Sequence, residues 1–379
     1  MSKEIRIGLI INPIAGVGGS AGLKGSDGEV IQKMAFARGA VKRSGERTRK
    51  ALETFRDLEL LQEEGTDVLF LCGSGEMGED LLAELGMKYR VAEAAEAPTT
   101  ADDTEKTAAA VCRLGAELIL FAGGDGTARN VFRAVGETVP VMGIPAGVKI
   151  HSGVFGNSPA ACGKAVARWL QTDRQTVLAE VIDLDEELYR KGTIGDTLYG
   201  YMRVPKVPSG MQNPKAASHQ SAEDIAGICA EVREKIAKED PKTMFILGAG
   251  STLMALKSSI AGGGSLLGID VMQNGTIIRK DVSSIELADL TSRNECRLIV
   301  SPIGGQGHIF GRGNQQLTPE VIHRIGPENI WIVSAAGKIY GLEEQTLLVD
   351  TGDDELDEEL RGYRKVITGW QEYLVCRVG

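Results

Sequence analysis

Several things are scarce in this 379-residue chain. Aromatic residues make up 5% and histidines number four. The six cysteines stand far apart, at 72, 112, 162, 229, 296 and 376, and no CxxC occurs. That spacing excludes a zinc ribbon and a disulfide framework, and reads as reduced thiols in a cytosolic compartment. No apolar run reaches the ~18 residues needed to span a bilayer. The short run in the N-terminal MSKEIRIGLIINP is too brief for a signal h-region. A soluble cytoplasmic protein, not bound to membrane, is expected. Basic excess is lacking as well, since 42 Lys and Arg face 52 Asp and Glu for a net charge of −10. This argues against nucleic acid or an anionic membrane as the main partner. A small anionic ligand remains open, because glycine loops bind phosphate through local N–H groups whatever the net charge.

Glycine, in contrast, is abundant, with 48 residues. The glycines gather at 16–28, 73–78, 123–126, 262–268 and 304–313, each cluster near a strand-like run. Such placement marks tight turns or close approach of backbone to a ligand. Length carries a prior of about two domains. In the first half short apolar runs alternate with helical patterns: strands at 5–12, 66–73, 117–124 and 139–147, and helices at 46–62, 99–116 and after 126. Thr100 with Asp103 three residues on is a capping-box start, and Gly115 a stop. This alternation predicts an α/β domain with a doubly wound parallel sheet, its glycine loops at the carboxyl ends of the strands where ligands bind.

Beyond residue 155 the pattern predicts a second, β-rich mixed domain over 156–345. Its elements include a helix and strand within 156–180, a strand at 243–250 running into a helix, and a hairpin at Asn274-Gly275. The proline- and glycine-bearing stretch around 199–220 reads as an extended segment or mobile loop. Residues 346–379 read as a tail that packs back on the first domain.

The chemistry centres on GGDGT at 123–127, after a strand and before a helix. There the N–H groups and the helix dipole converge on a spot suited to anions. Asp125 has two readings: an Asp-Gly turn residue without chemistry, or a group that binds metal or takes a proton from a hydroxyl attacking phosphorus. In GGQGHIFGRGNQQ (304–316) the glycines form either a phosphate concavity, with Arg312 neutralising charge and Gln306 or Asn314 bonding the ligand, or a packed β-arch. His151 and His308 read first as satisfied structural histidines. Lys24 is a weaker phosphate candidate, and Lys149 lies beside the Pro145-Ala146-Gly147 turn. The acidic run at 350–360 reads as a solvated helix start.

GGDGT resembles the signature of the NAD kinase superfamily, which includes diacylglycerol and sphingosine kinases. INPIAGVGGSAGLKGSDG (11–28) is similar to that family's N-terminal phosphate loop. The stretches 301–316 and 349–369 resemble a divergent group of ATP- or polyphosphate-dependent NAD kinases, members of which occur beside acetoin-catabolism genes. The resemblance implies a two-domain NAD kinase-like fold, ATP or polyphosphate with Mg²⁺ as donor, and NAD as the nucleotide substrate. It also implies homo-oligomers. Asp125 becomes the candidate general base. Asn12, Gly123, Gly124, Gly126 and Thr127 become its phosphate and adenosine cradle, joined by Gly250, Ser251 and Thr252 of GAGST and by Gly304, Gly305 and Gln306. No metal ligand is assigned. The chain departs from the family at PAGVKIH (145–151), where lipid kinases carry P-x-G-T-G-N-D, and in lacking the Asn-Glu pair that NAD kinases use for NAD. Two alternatives therefore stand beside the NAD kinase reading. One is a nucleotide-binding regulatory protein without kinase activity, the other a kinase for another small hydroxyl compound.

Overall fold

In a computed structural model, residues 3–23, 28–58, 66–147, 150–184, 196–207, 222–303 and 307–379 are described. They divide into two compact units, Met1–Gly16 with Val41–Pro214 and Val17–Ala40 with Lys215–Gly379.

The first unit is built on five strands: β1 (Lys3–Ile11), β2 (Thr66–Gly73), β3 (Tyr89–Glu93), β4 (Leu118–Gly123) and β5 (Val141–Pro145). They lie in the order β3-β2-β1-β4-β5, all parallel. A parallel interior strand is covered on both faces and so reads as a continuous apolar run. β4 follows that rule, with every residue from Leu118 to Gly123 buried. Ser44–Asp57 and Pro159–Leu170 close one face, through Leu52, Phe55, Val166 and Trp169. Ala101–Arg113 and Asp125–Val135 close the other, through Val111, Ala128 and Val131. The capping box expected at Thr100 is present, its backbone N–H donating to Asp103 Oδ2 at 2.8 Å. The chain leaves β1 toward β2 and leaves β4 toward β5. The crevice between these neighbouring strands is therefore the topological switch point.

Two further strands, β6 (Thr176–Leu184) and β7 (Asp196–Pro205), form an antiparallel pair. β7 occupies the start of the stretch expected to be an extended segment or a loop, as an extended strand; residues 208–220 of that stretch lie outside the described residues. The pair packs on the helix Asp125–Val135 so closely that a Cβ on Gly200 would stand 2.3 Å from the Phe132 ring. This packing places residues beyond 155 in the first unit, and the boundary expected there falls within it.

The second unit carries eight strands: β8 (Met244–Leu247), β9 (Asp270–Gln273), β10 (Thr276–Arg279), β11 (Cys296–Val300), β12 (Ile330–Val333), β13 (Thr346–Leu347), β14 (Gly362–Gly369) and β15 (Glu372–Val378). Their order is β10-β9-β8-β11-β12-β14-β15-β13. The sheet is mixed, as expected, but its centre β8-β11-β12-β14 is parallel. Antiparallel β9 and β15 flank that centre. Asn274 and Gly275 turn the β9–β10 hairpin at φ 50° and 70°, the left-handed pair that its tight turn requires. The residues expected to form a separate tail instead supply β13, β14 and β15 to this sheet, and Leu347, Leu356, Val366 and Val378 join its core. The segment Val17–Ala40 also clusters with this unit. A Cβ on Gly19 would collide with the Gln315 side chain at 1.5 Å, and Arg38 donates to the Ala21 carbonyl at 3.0 Å.

Candidate active site

In the first unit the turn after β1 meets the turn after β4. Asn12 N–H donates to the Ala122 carbonyl at 3.0 Å, and Asn12 Nδ2 donates to Thr127 Oγ1 at 3.0 Å. Its Oδ1 accepts from Ile14 N–H at 3.3 Å. The two sequence-selected side chains Asn12 and Thr127 thus tie the strand ends to each other. Gly123 cannot carry a side chain, because its Cβ would stand 2.3 Å from Thr127 Oγ1. Its carbonyl accepts from the N–H groups of Ala146 and Gly147, both at 2.9 Å. These two bonds stitch the ends of β4 and β5, and Arg47 Nε, on the helix Ser44–Asp57, donates to the Pro145 carbonyl. Gly124 is the N-cap of the helix that follows, and Asp125, Gly126 and Thr127 make its first turn.

Asp125 points inward and is 5% exposed. Oδ2 accepts from His151 N–H at 2.7 Å; Oδ1 accepts from Ser152 N–H at 3.0 Å and Ser152 Oγ at 2.7 Å. Burial drives its pKa from the ordinary 3.8 up to about 7; the bonds from Ser152 and His151 oppose the rise, and the Asp183 carboxylate adds to it. An acid poised near neutrality at a switch point suits a general base. Of the bare-turn and reactive-acid readings, this environment favours the second.

Ser152 has a single hydroxyl proton but two acceptors in reach, Asp125 Oδ1 and the Ile182 carbonyl at 2.8 Å, and it accepts from Ile182 N–H at 3.0 Å. With Asp125 ionised the proton faces the carboxylate. With Asp125 protonated the carboxyl can donate to Ser152 while Ser152 donates to Ile182. The serine thereby couples Asp125 to β6, where Asp183 pairs with Arg129 at 2.7 Å, one helical turn beyond Asp125. Arg129 also lies 5.5 Å from the Tyr199 ring centroid on β7.

Neither Ser152, Asp183 nor Arg129 was singled out from sequence. Their signal is tertiary, since each lies in a stretch without a motif of its own. His151 contributes its backbone N–H to Asp125. Lys24 and Lys149 fall outside the described residues.

In the second unit, β8 ends in Gly248-Ala249-Gly250 and the helix Ser251–Ala261. β11, its neighbour, ends at Val300 and runs into the other glycine-rich stretch. Gly248 N–H donates to the Ile299 carbonyl at 2.9 Å. The chain leaves β8 toward β9 and β11 toward β12, so a second switch point falls between the two. Gly250, at φ 109°, is the N-cap and donates to the Leu266 carbonyl at 2.8 Å; Ser251 is exposed and Thr252 buried. Gly304, Gly305 and Gln306 lie outside the described residues.

The remainder of the 304–316 stretch is a packed arch more than an open cradle. Gly311, at φ 92°, would place a Cβ 1.9 Å from the Asp350 carbonyl oxygen, and Gly313 one 3.0 Å from Ile303. Asn314, 1% exposed, donates to the Ile309 carbonyl at 2.7 Å, and Arg312 is 5% exposed. Asn314 Nδ2 thus bonds the arch itself, while its buried Oδ1 has no hydrogen-bond partner among the described residues. The acidic run is a helix start as expected: Asp353 caps Asp354–Leu360, accepting from Glu355 N–H at 3.0 Å.

Among the described residues, no three His, Cys, Asp or Glu side chains converge as metal ligands. No described helix is long and apolar enough to cross a membrane. All six cysteines are free, and burial pushes the Cys72 thiol up to about 12.

Comparison with curated proteins and with solved structures gives no match. Family models do match: the ATP-NAD kinase N-terminal domain over residues 7–174 and the ATP-NAD kinase C-terminal domain over 242–378. Together they take in both switch points and most of the chain. The chain belongs to the ATP-NAD kinase family.

Proposed function

We propose that this protein transfers a phosphoryl group from ATP or polyphosphate to the 2′-hydroxyl of the adenosine ribose of NAD, with Asp125 as the proton acceptor. The observation that carries the reading is the Asp125 carboxylate, buried at the β1/β4 switch point, held by three donors and raised to about 7. Family membership supplies the reaction class, an NAD kinase-type phosphotransferase.

Above about pH 7 the carboxylate is ionised and can accept a proton from an acceptor hydroxyl. Ser152 answers the change by turning its hydroxyl from Asp125 toward the Ile182 carbonyl, which keeps the neutral acid hydrogen-bonded. Gly123 leaves room for the Thr127 side chain against the β4 turn, and Gly124 opens the helix whose first-turn N–H groups suit a phosphate. The described residues do not offer a protein cage for Mg²⁺. Magnesium in kinase sites is usually carried on substrate phosphates with several waters retained, and no step is derived through it.

A phosphoryl-transfer screen tests the reading, crossing ATP and polyphosphate with NAD, NADH and small polyols. NADP formation with at least one donor is expected, with kcat/KM rising through about pH 7 to a plateau. Transfer to a polyol in preference to NAD would move the acceptor to another hydroxyl compound. Nucleotide binding without transfer to any acceptor would leave a binding protein.

A further inference from the structure

We propose that the carboxyl ends of β8 and β11 in the second unit form a further oxyanion site, in which the Lys338 ammonium and the Ser301 hydroxyl bind a phosphate group. Neither residue is among the candidate site residues read from the sequence. The site does not depend on Asp125 acting as a base.

Four observations converge. Ser301 is the first residue past β11 and is 4% exposed, yet its Oγ has no hydrogen-bond partner among the described residues. A buried hydroxyl left unsatisfied costs about 1–3 kcal/mol and calls for a partner. Next to it, Lys338 reaches across from the helix Ala336–Tyr340, after β12, and donates to the Pro302 carbonyl. An ammonium has three N–H donors. Pro302 takes one, and among the described residues Lys338 has no carboxylate at ion-pair distance. Desolvation brings its pKa from 10.5 down to about 8, the mark of a cation held without a counter-ion.

On the other side of β11 the helix Ser251–Ala261 begins at Gly250, which brings no side-chain cap, and its first-turn amides point out of that end. The fourth observation is the topology itself, since crossovers leave β8 and β11 in opposite directions. A charged donor, a hydroxyl donor and helix amides around one strand end match the several acceptor oxygens of a tetrahedral phosphate better than the single plane of a carboxylate.

That phosphate comes either from an inorganic chain or from a nucleotide. Isothermal titration calorimetry of the full chain at pH 7, with tripolyphosphate and separately with NAD, distinguishes the sources. Lys338→Met is expected to weaken binding of one of the two about tenfold or more, the scale of a lost charged hydrogen bond. Ser301→Ala weakens it less, and Lys338→Arg keeps it within about threefold because the charge remains. Tripolyphosphate as the affected ligand identifies an inorganic chain, NAD a nucleotide phosphate. Lys365→Gln, an exposed lysine on β14, controls for net charge and leaves both isotherms unchanged. Asp125→Asn keeps the Lys338-dependent binding, so a failure of the catalytic reading and a failure of this site are separate results. Superimposable isotherms for the wild type and Lys338→Met, or no binding of either ligand by the wild type, overturn the site. If Lys338→Met melts early, Lys338→Ala with Lys338→Arg gives the same comparison on the folded fraction.

Discussion

At the scale of single residues the proposed chemistry rests on Asp125 and Ser152. Burial favours the neutral acid, so the folded pKa lies above the ordinary one. Asp125's contribution to stability is therefore complete below 3.8 and is lost as pH climbs through about 7. The fold accepts that loss at working pH, as sites tuned for proton transfer do. Ser152 holds the pKa down, because both its N–H and its hydroxyl donate to the carboxylate. Ser152→Ala removes the hydroxyl bond and is expected to move the acid limb of kcat/KM alkaline by about one pH unit. A kcat/KM profile against pH checks this; a limb that stays in place would detach Asp125 from the rate. Lys338 has the opposite sign. Its pKa is depressed, so its unfolded form binds the extra proton between about 8 and 10.5, and native stability rises across that range. Lys338→Met should flatten that rise in denaturant titrations run from pH 7 to 10. Asp125 was legible in sequence because strand, glycine turn and helix announce it. Ser152 was not, because its partner is reached only when β6 folds beside the β5 loop.

The instructive element is the turn that follows the helix Ser251–Ala261. Lys257 and Asp270 are both fully buried and meet at 2.9 Å. Lys257 also donates to the Ser265 carbonyl at 2.9 Å and the Gly268 carbonyl at 3.0 Å. Asp270 accepts from Ser265 N–H at 2.7 Å, Ser265 Oγ at 2.6 Å and Asp281 N–H at 2.9 Å. This network explains the last glycine of the GGGS run, since a Cβ on Gly264 would lie 2.6 Å from Asp270 Oδ2. It also fixes the turn whose Leu266 carbonyl receives Gly250 N–H, at the start of that helix. Removing one member leaves the other charge buried alone, so Lys257→Met is expected to cost about 3–5 kcal/mol in urea unfolding. A loss below about 1 kcal/mol would mean that solvent reaches the pair. The sequence marked 262–268 as a glycine cluster but carried no sign of the pair, whose members are thirteen residues apart. β7 lies in a stretch read as an extended segment or a loop: its glycine and proline suit either, and pairing with β6 makes it a strand.

For the molecule as a whole, parallel sheet was legible in the first unit because buried strands there are continuous apolar runs between helical periods. The parallel centre of the second unit was not, because β8, β11 and β12 are four or five residues each and a hairpin interrupts them. The unit boundary also escaped the sequence reading. Val17–Ala40 leaves one unit for the other, and the β6–β7 pair stays within the first unit, which runs on past it. In each unit the long glycine-bearing turns follow strands at the switch point, so placing ligand loops needed only strand and turn patterns, whereas naming their partners needed the fold. The central claim is that Asp125 takes the proton in phosphoryl transfer to NAD. Its most direct test is single-turnover NADP formation by the wild type and Asp125→Asn, with nucleotide affinity measured in parallel. The expected result is a drop of about a thousandfold in the transfer rate with affinity kept within about tenfold, since the neutral isostere cannot accept the proton. NADP formation by Asp125→Asn at the wild-type rate would contradict it.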